Sequence, residues 1–345
     1  MSLAATITAR TFTPAPDDLI AGLAHRAREA DLIVQDSAST LTVTAPQARL
    51  SLDRAADAIA LRLDAEDDTA LFHFREYLLW LLDDVAPGLS DGLNWQGDIP
   101  RNSTPPNFQT ATVRAVRRLA PRFLRVTLAC TNIARLIEER GMHFSLLIPP
   151  QGRTPIWPRL DENGRAVWPK GADALHRAAY TFVSLDAQAG TFDFDVFEHA
   201  GGRATDWARN AQPGDPVALT GPGSGDVPDT TALLIAGDET ALPAIRRILE
   251  QADPATTGAA LVEVGHPDDI CPLPLPKGMT LTWLIRAKGE ALWDRLATEP
   301  LPADSATPFV WVAAEKDLVR RAKARFEGEL HLPRAQTYLA YYWAA

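Results

Sequence analysis

The spacing of hydrophobic residues changes along the chain and predicts a multidomain protein with three folded regions. Residues 1–90 combine strand-like alternation with two segments of helical spacing, which predicts a small α+β domain. Residues 91–107 are rich in Gly, Pro, Ser and Asn and are predicted to be a linker. Residues 108–225 contain six strand-like segments and one short helical segment, which is typical of an antiparallel β-barrel. In residues 226–345 short apolar runs alternate with helices, which predicts an α/β domain with a parallel sheet.

The same spacing predicts the individual elements. In the first domain they are strands 5–12, 40–44, 48–52 and 58–63 and helices 16–30 and 68–85. In the barrel they are strands 110–117, 123–130, 143–149, 179–186, 191–199 and 216–220 and helix 133–140. In the α/β domain they are strands 232–236, 259–264, 280–285, 309–313 and 337–343 and helices 239–251, 290–298 and 316–329. The connection 150–176 is too long for a plain turn, so it is interpreted either as a functional lid or as irregular packing.

Composition and charge narrow the range of functions. The formal net charge of −10 argues against a nucleic-acid-binding surface, because phosphates are bound by clustered cations. The two cysteines, Cys130 and Cys271, have no Cys or His at a ligand spacing, which argues against a disulfide framework, an iron–sulfur centre or a zinc site. The N-terminal residues lack a secretion pattern, and no apolar cluster is long enough to cross a bilayer. We therefore expect a cytoplasmic protein that does not insert into membranes, and we take it to be a monomer.

The start of the α/β domain predicts a strand, a tight turn and a helix in succession. An apolar run at 233–235 indicates a buried strand, Gly237 and Asp238 end it, and helical spacing follows. Either Asp238 or Thr240 is placed to cap the helix, and Pro243 is tolerated in its first turn. Such a turn leaves free backbone N–H groups and the positive end of a helix dipole at the sheet edge. The pattern alone leaves two interpretations open, a site for a phosphate-type ligand or an ordinary α/β turn.

The sequence of that turn, Gly237-Asp-Glu-Thr-Ala-Leu-Pro-Ala-Ile245, closely resembles the nicotinamide-side turn of the siderophore-interacting proteins. These are flavin-dependent ferric-siderophore reductases of the ferredoxin-reductase superfamily. The resemblance covers roughly residues 108–343 and implies FAD in the barrel and NAD(P)H in the α/β domain. It implies contacts to the nicotinamide cofactor from the residues of the turn: Gly237, Asp238, Glu239, Thr240 and Ala241. Residues 1–90 resemble, in pattern, a small domain of unknown function that is found alone or beside members of this family.

The family's first flavin-binding phrase is Arg-x-Tyr-Thr, with a second Arg two positions later. This chain reads His176-Arg-Ala-Ala-Tyr-Thr-Phe-Val183, so Tyr180 and Thr181 match, whereas Ala178 and Val183 replace the two arginines. Arg177 lies one position early, and in an extended strand that shift turns its side chain to the other face. It therefore replaces the missing cation only if a bulge or the start of the strand re-aims it.

The second flavin-binding phrase of the family reads roughly His-Gly-x-x-Gly-Pro-Ala-Ser, followed by a helix with Trp-Ala. This chain has His199-Ala-Gly-Gly-Arg-Ala-Thr-Asp-Trp-Ala208. The resemblance implies flavin contacts from five residues of this segment: His199, Gly202, Arg203, Ala204 and Thr205. Arg203 stands where the family has Pro, and our hypothesis is that it supplies the cation lost at 178 and 183. The alternative is a solvated arginine on a loop. Thr205 keeps a hydroxyl that caps a helix or meets a phosphate oxygen.

Two segments nearer the C-terminus are also similar to the family. Trp311-Val-Ala-Ala-Glu315 resembles the family's Trp-Val-Ala-Gly-Glu, which implies a polar contact from Glu315, although Ala314 replaces the Gly. Tyr341-Tyr-Trp343 resembles the closing Tyr-Trp segment, which implies a cofactor contact from Trp343. No nucleophile with a neighbouring base is recognisable in the sequence, which is consistent with hydride and electron transfer.

The resemblance implies an NAD(P)H:FAD oxidoreductase that reduces a ferric siderophore and releases Fe(II) without ligating the iron itself. An anionic chelate is expected to be attracted by the cations of the 150–176 connection: Arg153, Arg159, Arg165 and Lys170. Two alternatives stay open. The departures at Ala178, Val183 and Ala314 are compatible with a siderophore-binding or regulatory module that no longer holds flavin. The chain could instead be a flavin reductase with a different electron acceptor.

Overall fold

The computed structural model describes residues 4–30, 32–139, 141–223, 225–302 and 307–344. Its strands are β1 Ala5–Thr11, β2 Ile33–Asp36, β3 Thr40–Ala45, β4 Ala48–Arg54, β5 Ile59–Ala65, β6 Asn94–Gln96, β7 Phe108–Ala120, β8 Phe123–Cys130, β9 His143–Ile148, β10 Arg159–Leu160, β11 Ala166–Val167, β12 His176–Thr181, β13 Ser184–Asp186, β14 Thr191–Phe197, β15 Pro216–Gly223, β16 Ala232–Gly237, β17 Thr257–Val264, β18 Gly278–Ile285, β19 Phe309–Glu315 and β20 Thr337–Trp343. Its α-helices are α1 Leu19–Glu29, α2 Asp68–Val85, α3 Ile133–Glu138, α4 Arg203–Asn210, α5 Leu242–Gln251, α6 Leu292–Leu296 and α7 Lys316–Lys323.

The chain divides into two units, the first comprising Met1–Phe108 with Ile156–Gly171 and the second comprising Gln109–Pro155 with Ala172–Ala345. The first unit is an antiparallel sheet in the order β2-β3-β4-β5-β1-β6, packed with α1 and α2 around an apolar core. Helix α2 buries the residues that its helical spacing predicted, and its first turn is capped by Asp67, whose carboxylate accepts the Ala70 N–H at 2.8 Å. The predicted α+β fold of this region is confirmed.

Two short strands of this sheet escaped the sequence analysis. Strand β2 is mostly exposed, so it carries no apolar alternation. Strand β6 lies inside the predicted linker 91–107 and pairs with β1, with Trp95 opposite Ala9. The linker is therefore not entirely irregular, because its Trp95 packs against the apolar core of the first unit.

Residues 156–171 belong to the first unit although the sequence analysis placed them in the barrel domain. The Leu160 N–H donates to the Ser103 carbonyl at 2.7 Å, and β10 and β11 form a small hairpin. Arg165 donates to the carboxylates of Asp91 at 2.6 Å and Asp83 at 2.9 Å. Of the two interpretations of the connection 150–176, a functional lid or irregular packing, neither is tested, but residues 156–171 of it pack within the first unit.

The second unit begins with a seven-stranded antiparallel sheet in the order β12-β9-β15-β7-β8-β14-β13. The predicted antiparallel barrel is confirmed, but it has seven strands rather than six, because the predicted strand 179–186 is two strands. The chain changes partner at Phe182: β12 pairs with β9, and β13 pairs with β14. Phe182 is fully buried at this corner and stacks on Phe144, with ring centroids 4.5 Å apart.

The rest of the second unit is a five-stranded parallel sheet in the order β18-β17-β16-β19-β20, as the alternation of strands and helices predicted. The central strand β16 is buried throughout. Helix α5 begins at Leu242 and not at residue 239, with Pro243 in its first turn. Within the described residues, no helix is both long and apolar enough to cross a bilayer.

Candidate active site

Two cavities of the second unit lie along strand β12. One, of about 570 Å³, is lined at the start of the strand by residues that include His176, Arg203 and Trp207. The other, of about 370 Å³, includes Tyr180 and Thr181 from the end of the strand. A six-residue strand at about 3.3 Å per residue sets these two ends far enough apart for a long, extended ligand. Strand β12, whose sequence resembles the first flavin-binding motif of the family, therefore runs from one cavity to the other.

The cavity at the start of β12 has a cationic and polar lining. Arg203 is the first residue of α4. Burial, and secondarily the charge of Arg203, lower the pKa of His176, so the Arg203 guanidinium lies near that imidazole. The backbone N–H groups of the first turn of α4 add partial positive charge. Arg153 also lines the cavity, but it forms a 2.7 Å ion pair with Asp173. Arg203 therefore lies at this cavity beside His176, and its role as the replacement cation for 178 and 183 stays a prediction.

Arg177 is placed differently. Strand β12 pairs with β9 in an unbroken register from His176 to Thr181, so no bulge re-aims the Arg177 side chain. Arg177 is exposed and lies on the opposite face of the strand from Tyr180 and Ala178, which pack on the barrel core. The condition under which Arg177 would replace the missing cation is not met within β12.

The cavity at the end of β12 is aromatic. Tyr180 is largely buried beside Phe194, with ring centroids 4.9 Å apart, and this burial raises the pKa of its phenol well above the ordinary value. Tyr341, Tyr342 and Trp343 of the last strand line the same cavity. Barrel and α/β domain thus contribute jointly to one aromatic site, which is suited to a flat apolar ring system.

A histidine that the sequence analysis missed is at the centre of this site. The Nδ1 atom of His143 lies 3.1 Å from the Thr181 hydroxyl, and its Nε2 atom lies 3.0 Å from the Tyr342 hydroxyl. Burial, and secondarily the charge of Arg247, lower the pKa of His143 to about 4, so the ring is neutral near pH 7. No sequence signal linked these groups, because His143 and Tyr342 are 199 residues apart.

The segment 199–205 folds tightly at the start of α4. The Thr205 hydroxyl is buried and accepts the His199 N–H at 3.3 Å, so in this structure it holds the loop rather than capping the helix. A Cβ atom at Gly202 would lie 2.8 Å from the His199 ring and from the Thr205 oxygen, so a larger residue there would have to displace these side chains. Ala204 packs on the barrel core, whereas the His199 side chain is exposed at the cavity.

The turn after β16 is closely packed. A Cβ atom at Gly237 would lie 2.7 Å from the Ala313 carbonyl oxygen and 2.6 Å from the Ala241 Cβ, and Ala241 is itself fully buried. Asp238 accepts from the Thr240 N–H at 2.9 Å, from the Thr240 hydroxyl at 2.6 Å and from the Trp343 indole N–H at 2.8 Å. Burial raises the pKa of Asp238 despite these three donors. The predicted residues Asp238 and Trp343 are thus brought together, and they fix the last strand to the turn.

Glu239 and Glu315 have structural partners. Glu239 is buried; its Oε1 atom accepts the Gly265 N–H at 2.6 Å and is ion-paired with Arg286. Glu315 caps α7 by accepting the N–H groups of Asp317 at 2.6 Å and Leu318 at 3.3 Å. The partners of Glu239 and Glu315 do not show whether either residue contacts a cofactor. The site residues implied by the resemblance therefore stay a prediction.

The cations expected to attract an anionic chelate do not form one group. Arg153 is paired with Asp173 in the second unit, and Arg165 is held by two aspartates in the first. Arg159 and Lys170 also belong to the first unit. An ion-paired arginine has its charge largely neutralised, so Arg153 and Arg165 are poor candidates for binding an anion.

Comparison with known proteins agrees with this geometry. Residues 112–226 match the model of the siderophore-interacting FAD-binding domain, and residues 230–345 match that of the siderophore-interacting protein. The chain is 34% identical over 247 residues to the NADPH-dependent ferric-chelate reductase of Escherichia coli (strain K12), covering 69% of this chain and 93% of that protein. This chain belongs to the siderophore-interacting protein family. The family expected from the turn at Gly237 is thereby confirmed, and the chain is an FAD-binding oxidoreductase with a nicotinamide-binding domain.

Further relatives support the assignment to the siderophore-interacting proteins. The ferric vibriobactin reductase ViuB of Vibrio cholerae is 28% identical over 227 residues, which cover 64% of this chain and 83% of that protein. The crystal structure of a siderophore utilization protein from T. fusca superposes with a TM-score of 0.60 at 30% identity, covering 69% of this chain and 92% of that chain. The siderophore-interacting protein SipS from Aeromonas hydrophila, at 24% identity and a TM-score of 0.58, shows the shared fold and covers 71% of this chain and 100% of that chain.

The residues of the second unit fit FAD. The cationic cavity with Arg203 and the start of α4 suits a pyrophosphate, and the aromatic cavity with Tyr180 suits a flat ring. The segment 199–205 contributes to both cavities, since Arg203 lines the first and His199 lines the second. Arg203, Thr181, Tyr180 and His199 are therefore the residues that would hold the cofactor.

Proposed function

We propose that this protein is a cytoplasmic NAD(P)H-dependent reductase of ferric siderophores that acts as a monomer and releases Fe(II). The observation that carries the proposal is the aromatic cavity at the end of β12, where residues of the barrel and of the α/β domain line one space. Transfer between two cofactors requires both to reach a common site, and this cavity offers one. The ferric-chelate reductase and vibriobactin reductase among the relatives support the substrate class.

FAD, when bound, would supply the redox chemistry that links a two-electron nicotinamide donor to the one-electron acceptor Fe(III). The part of the protein is to bind and orient FAD and the nicotinamide and to exclude water from them. Arg203 and the start of α4 would neutralise the pyrophosphate, and Tyr180 would cover an apolar ring face. Thr181 would offer a hydroxyl to the ring edge, and Glu239 and Thr240 of the turn after Gly237 line the same cavity from the α/β domain.

Reduction releases the metal because hard oxygen donors hold Fe(III) far more tightly than Fe(II). The described residues contain no cluster of His, Cys, Asp or Glu suited to a metal ion. In this proposal the chelate is the substrate, and the side chains of the protein admit it to the exposed side of the site. Tyr341 and Trp343, which are 61% and 43% exposed, are the aromatic residues at that side.

The test is an absorbance spectrum of the purified protein after addition of FAD, followed by anaerobic NADH or NADPH and then a ferric siderophore with a ferrous-specific colour reagent. We expect flavin bands that bleach with the nicotinamide and recover as Fe(II) appears. Bands that bleach but do not recover with any ferric chelate would favour a reductase with another acceptor. Siderophore binding without bound flavin would favour the binding module.

The cation hypothesis has its own matched set of variants. Arg203→Ala is expected to weaken FAD binding about tenfold or more, because a charge-assisted contact to pyrophosphate is lost. Arg177→Ala should leave the affinity near that of the parent chain, and the exposed Arg320→Ala serves as the neutral control. Unchanged FAD affinity in Arg203→Ala, or a larger loss in Arg177→Ala, would discard Arg203 as the replacement cation.

A further inference from the structure

His143 joins the barrel to the last strand of the α/β domain through two hydroxyl groups. Its Nδ1 atom faces the Thr181 hydroxyl at 3.1 Å and its Nε2 atom faces the Tyr342 hydroxyl at 3.0 Å. The Tyr342 ring also meets the imidazole edge-on, at 5.5 Å and 84°. Tyr338 is a hydrogen-bond partner of Tyr342, so the polar chain continues one step further. Thr181, His143, Tyr338 and Tyr342 all line the aromatic cavity.

The neutral ring of His143 has one hydrogen to share among the hydroxyl groups of Thr181 and Tyr342 and the backbone of Tyr180, which also hydrogen-bonds the imidazole. Its low pKa, which follows from burial and from the charge of Arg247, keeps the imidazole neutral near pH 7. A neutral imidazole carries one N–H donor and one acceptor nitrogen, and either nitrogen can be the donor. Tyr342 offers a hydroxyl that can donate or accept, so both tautomers are satisfied at Nε2.

The tautomer determines what Thr181 presents to the cavity. If Nδ1 carries the hydrogen, it donates to the Thr181 oxygen, and the hydroxyl hydrogen is left to point into the cavity as a donor. If Nε2 carries the hydrogen, Thr181 donates to Nδ1 and offers the cavity only its lone pairs. The hydroxyl therefore changes between donor and acceptor without any change in net charge.

We propose that His143 is a positioning residue that sets, by exchanging tautomers, whether Thr181 donates a hydrogen bond to the flavin ring edge or accepts one. The proposal rests on the proposed function, since it requires FAD in this cavity. The ring-edge nitrogen of an isoalloxazine accepts a hydrogen bond when oxidised and donates one when reduced. A hydroxyl that serves in both directions stabilises both redox forms, whereas a hydroxyl with a fixed direction favours one of them.

The experiment compares the midpoint potential of bound FAD in Thr181→Val, in His143→Leu and in the double variant, measured by equilibration with reference dyes and independently of turnover. We expect each single variant to change the ratio of affinities for reduced and oxidised FAD by about fivefold to tenfold, the upper value being equivalent to about 30 mV for two electrons. The double variant should equal Thr181→Val alone, because His143 acts through that hydroxyl.

Two results overturn the inference: an unshifted potential in His143→Leu when Thr181→Val is shifted, or additive shifts in the double variant. His143→Gln guards against loss of folding, because its amide keeps one donor and one acceptor; it should bind FAD like the parent chain but retain a shifted potential. The exposed His331→Asn is the matched control and should show no shift. Failure of the parent chain to bind FAD would contradict the proposed function instead, so the two failures are distinguishable.

Discussion

Acidification should destabilise the second unit through a single histidine. The pKa of His143 is about 4 in the folded protein against 6.5 in an exposed chain, so the unfolded state binds the extra proton first as the pH falls. The contribution of His143 to the free energy of unfolding is therefore fully present above the unfolded pKa of 6.5. It is lost progressively as the pH falls towards about 4. The cause is burial between Thr181 and Tyr342, aided by the nearby charge of Arg247.

The size of the effect follows from the pKa difference. Each unit of pKa difference is worth about 1.4 kcal/mol, so the difference of about 2.5 units between folded and unfolded His143 amounts to roughly 3 kcal/mol in full. About 2 kcal/mol of this is lost by about pH 5, where the unfolded histidine is protonated and the folded one is not. Asp238 opposes the trend, because its raised pKa makes the folded state bind protons more readily.

The assay is urea unfolding of the cofactor-free chain at about pH 7.5 and pH 5, compared between the parent protein and His143→Gln. The comparison cancels the carboxylate contributions, which both chains share. The parent should lose about 2 kcal/mol more than the variant over this range. His331→Asn, which replaces an exposed histidine in a left-handed conformation, should follow the parent. Parallel pH curves for the parent and His143→Gln would refute the account of a buried neutral ring.

Three further substitutions test the local geometry. Gly237→Ala should destabilise the α/β domain by about 1–3 kcal/mol in thermal unfolding, because its Cβ would lie 2.7 Å from the Ala313 oxygen; an unchanged melting temperature would contradict this packing. Glu315→Ala should cost about 1 kcal/mol of stability with unchanged NAD(P)H affinity if the residue is only a cap; a drop in affinity measured by fluorescence titration would reveal a cofactor contact. Asp67→Ala should cost about 1 kcal/mol in the unfolding of the first unit, and Asp67→Asn should restore most of it.

Periodicity predicted those parts of the fold in which burial follows the sequence locally. Strand β16 is buried throughout and α5 has one apolar face, so both were visible as a run and a helical spacing. Strand β2 is exposed along most of its length, and β6 has only three residues, so neither leaves a pattern. The division of the strand at Phe182 was hidden because a buried corner residue reads like any other residue of a buried strand.

The site was predictable where it resembles a family phrase and not where it depends on contacts distant in sequence. Thr181, Tyr180 and the turn at Gly237 could be read from their order in the chain. The role of His143 could not, since a lone histidine at the start of a strand carries no signal of a partner 199 residues away. The ion pair of Glu239 with Arg286 was hidden for the same reason, because it joins the segments that follow β16 and β18, two strands separated in the sheet by β17.

Because residues 156–171 belong to the first unit, the chain crosses between the two units three times. The chain passes from one unit to the other near residue 108, returns near 156 and leaves again near 171. Proteolytic cleavage just before β7 would therefore nick the molecule without releasing its N-terminal piece, because Ser103 and Asp83 of that piece still contact Leu160 and Arg165 of the inserted segment. Truncation of the gene to remove residues 1–107 would leave residues 156–171 without the surface on which they pack. The N-terminal unit is consequently built from two separate stretches of the chain.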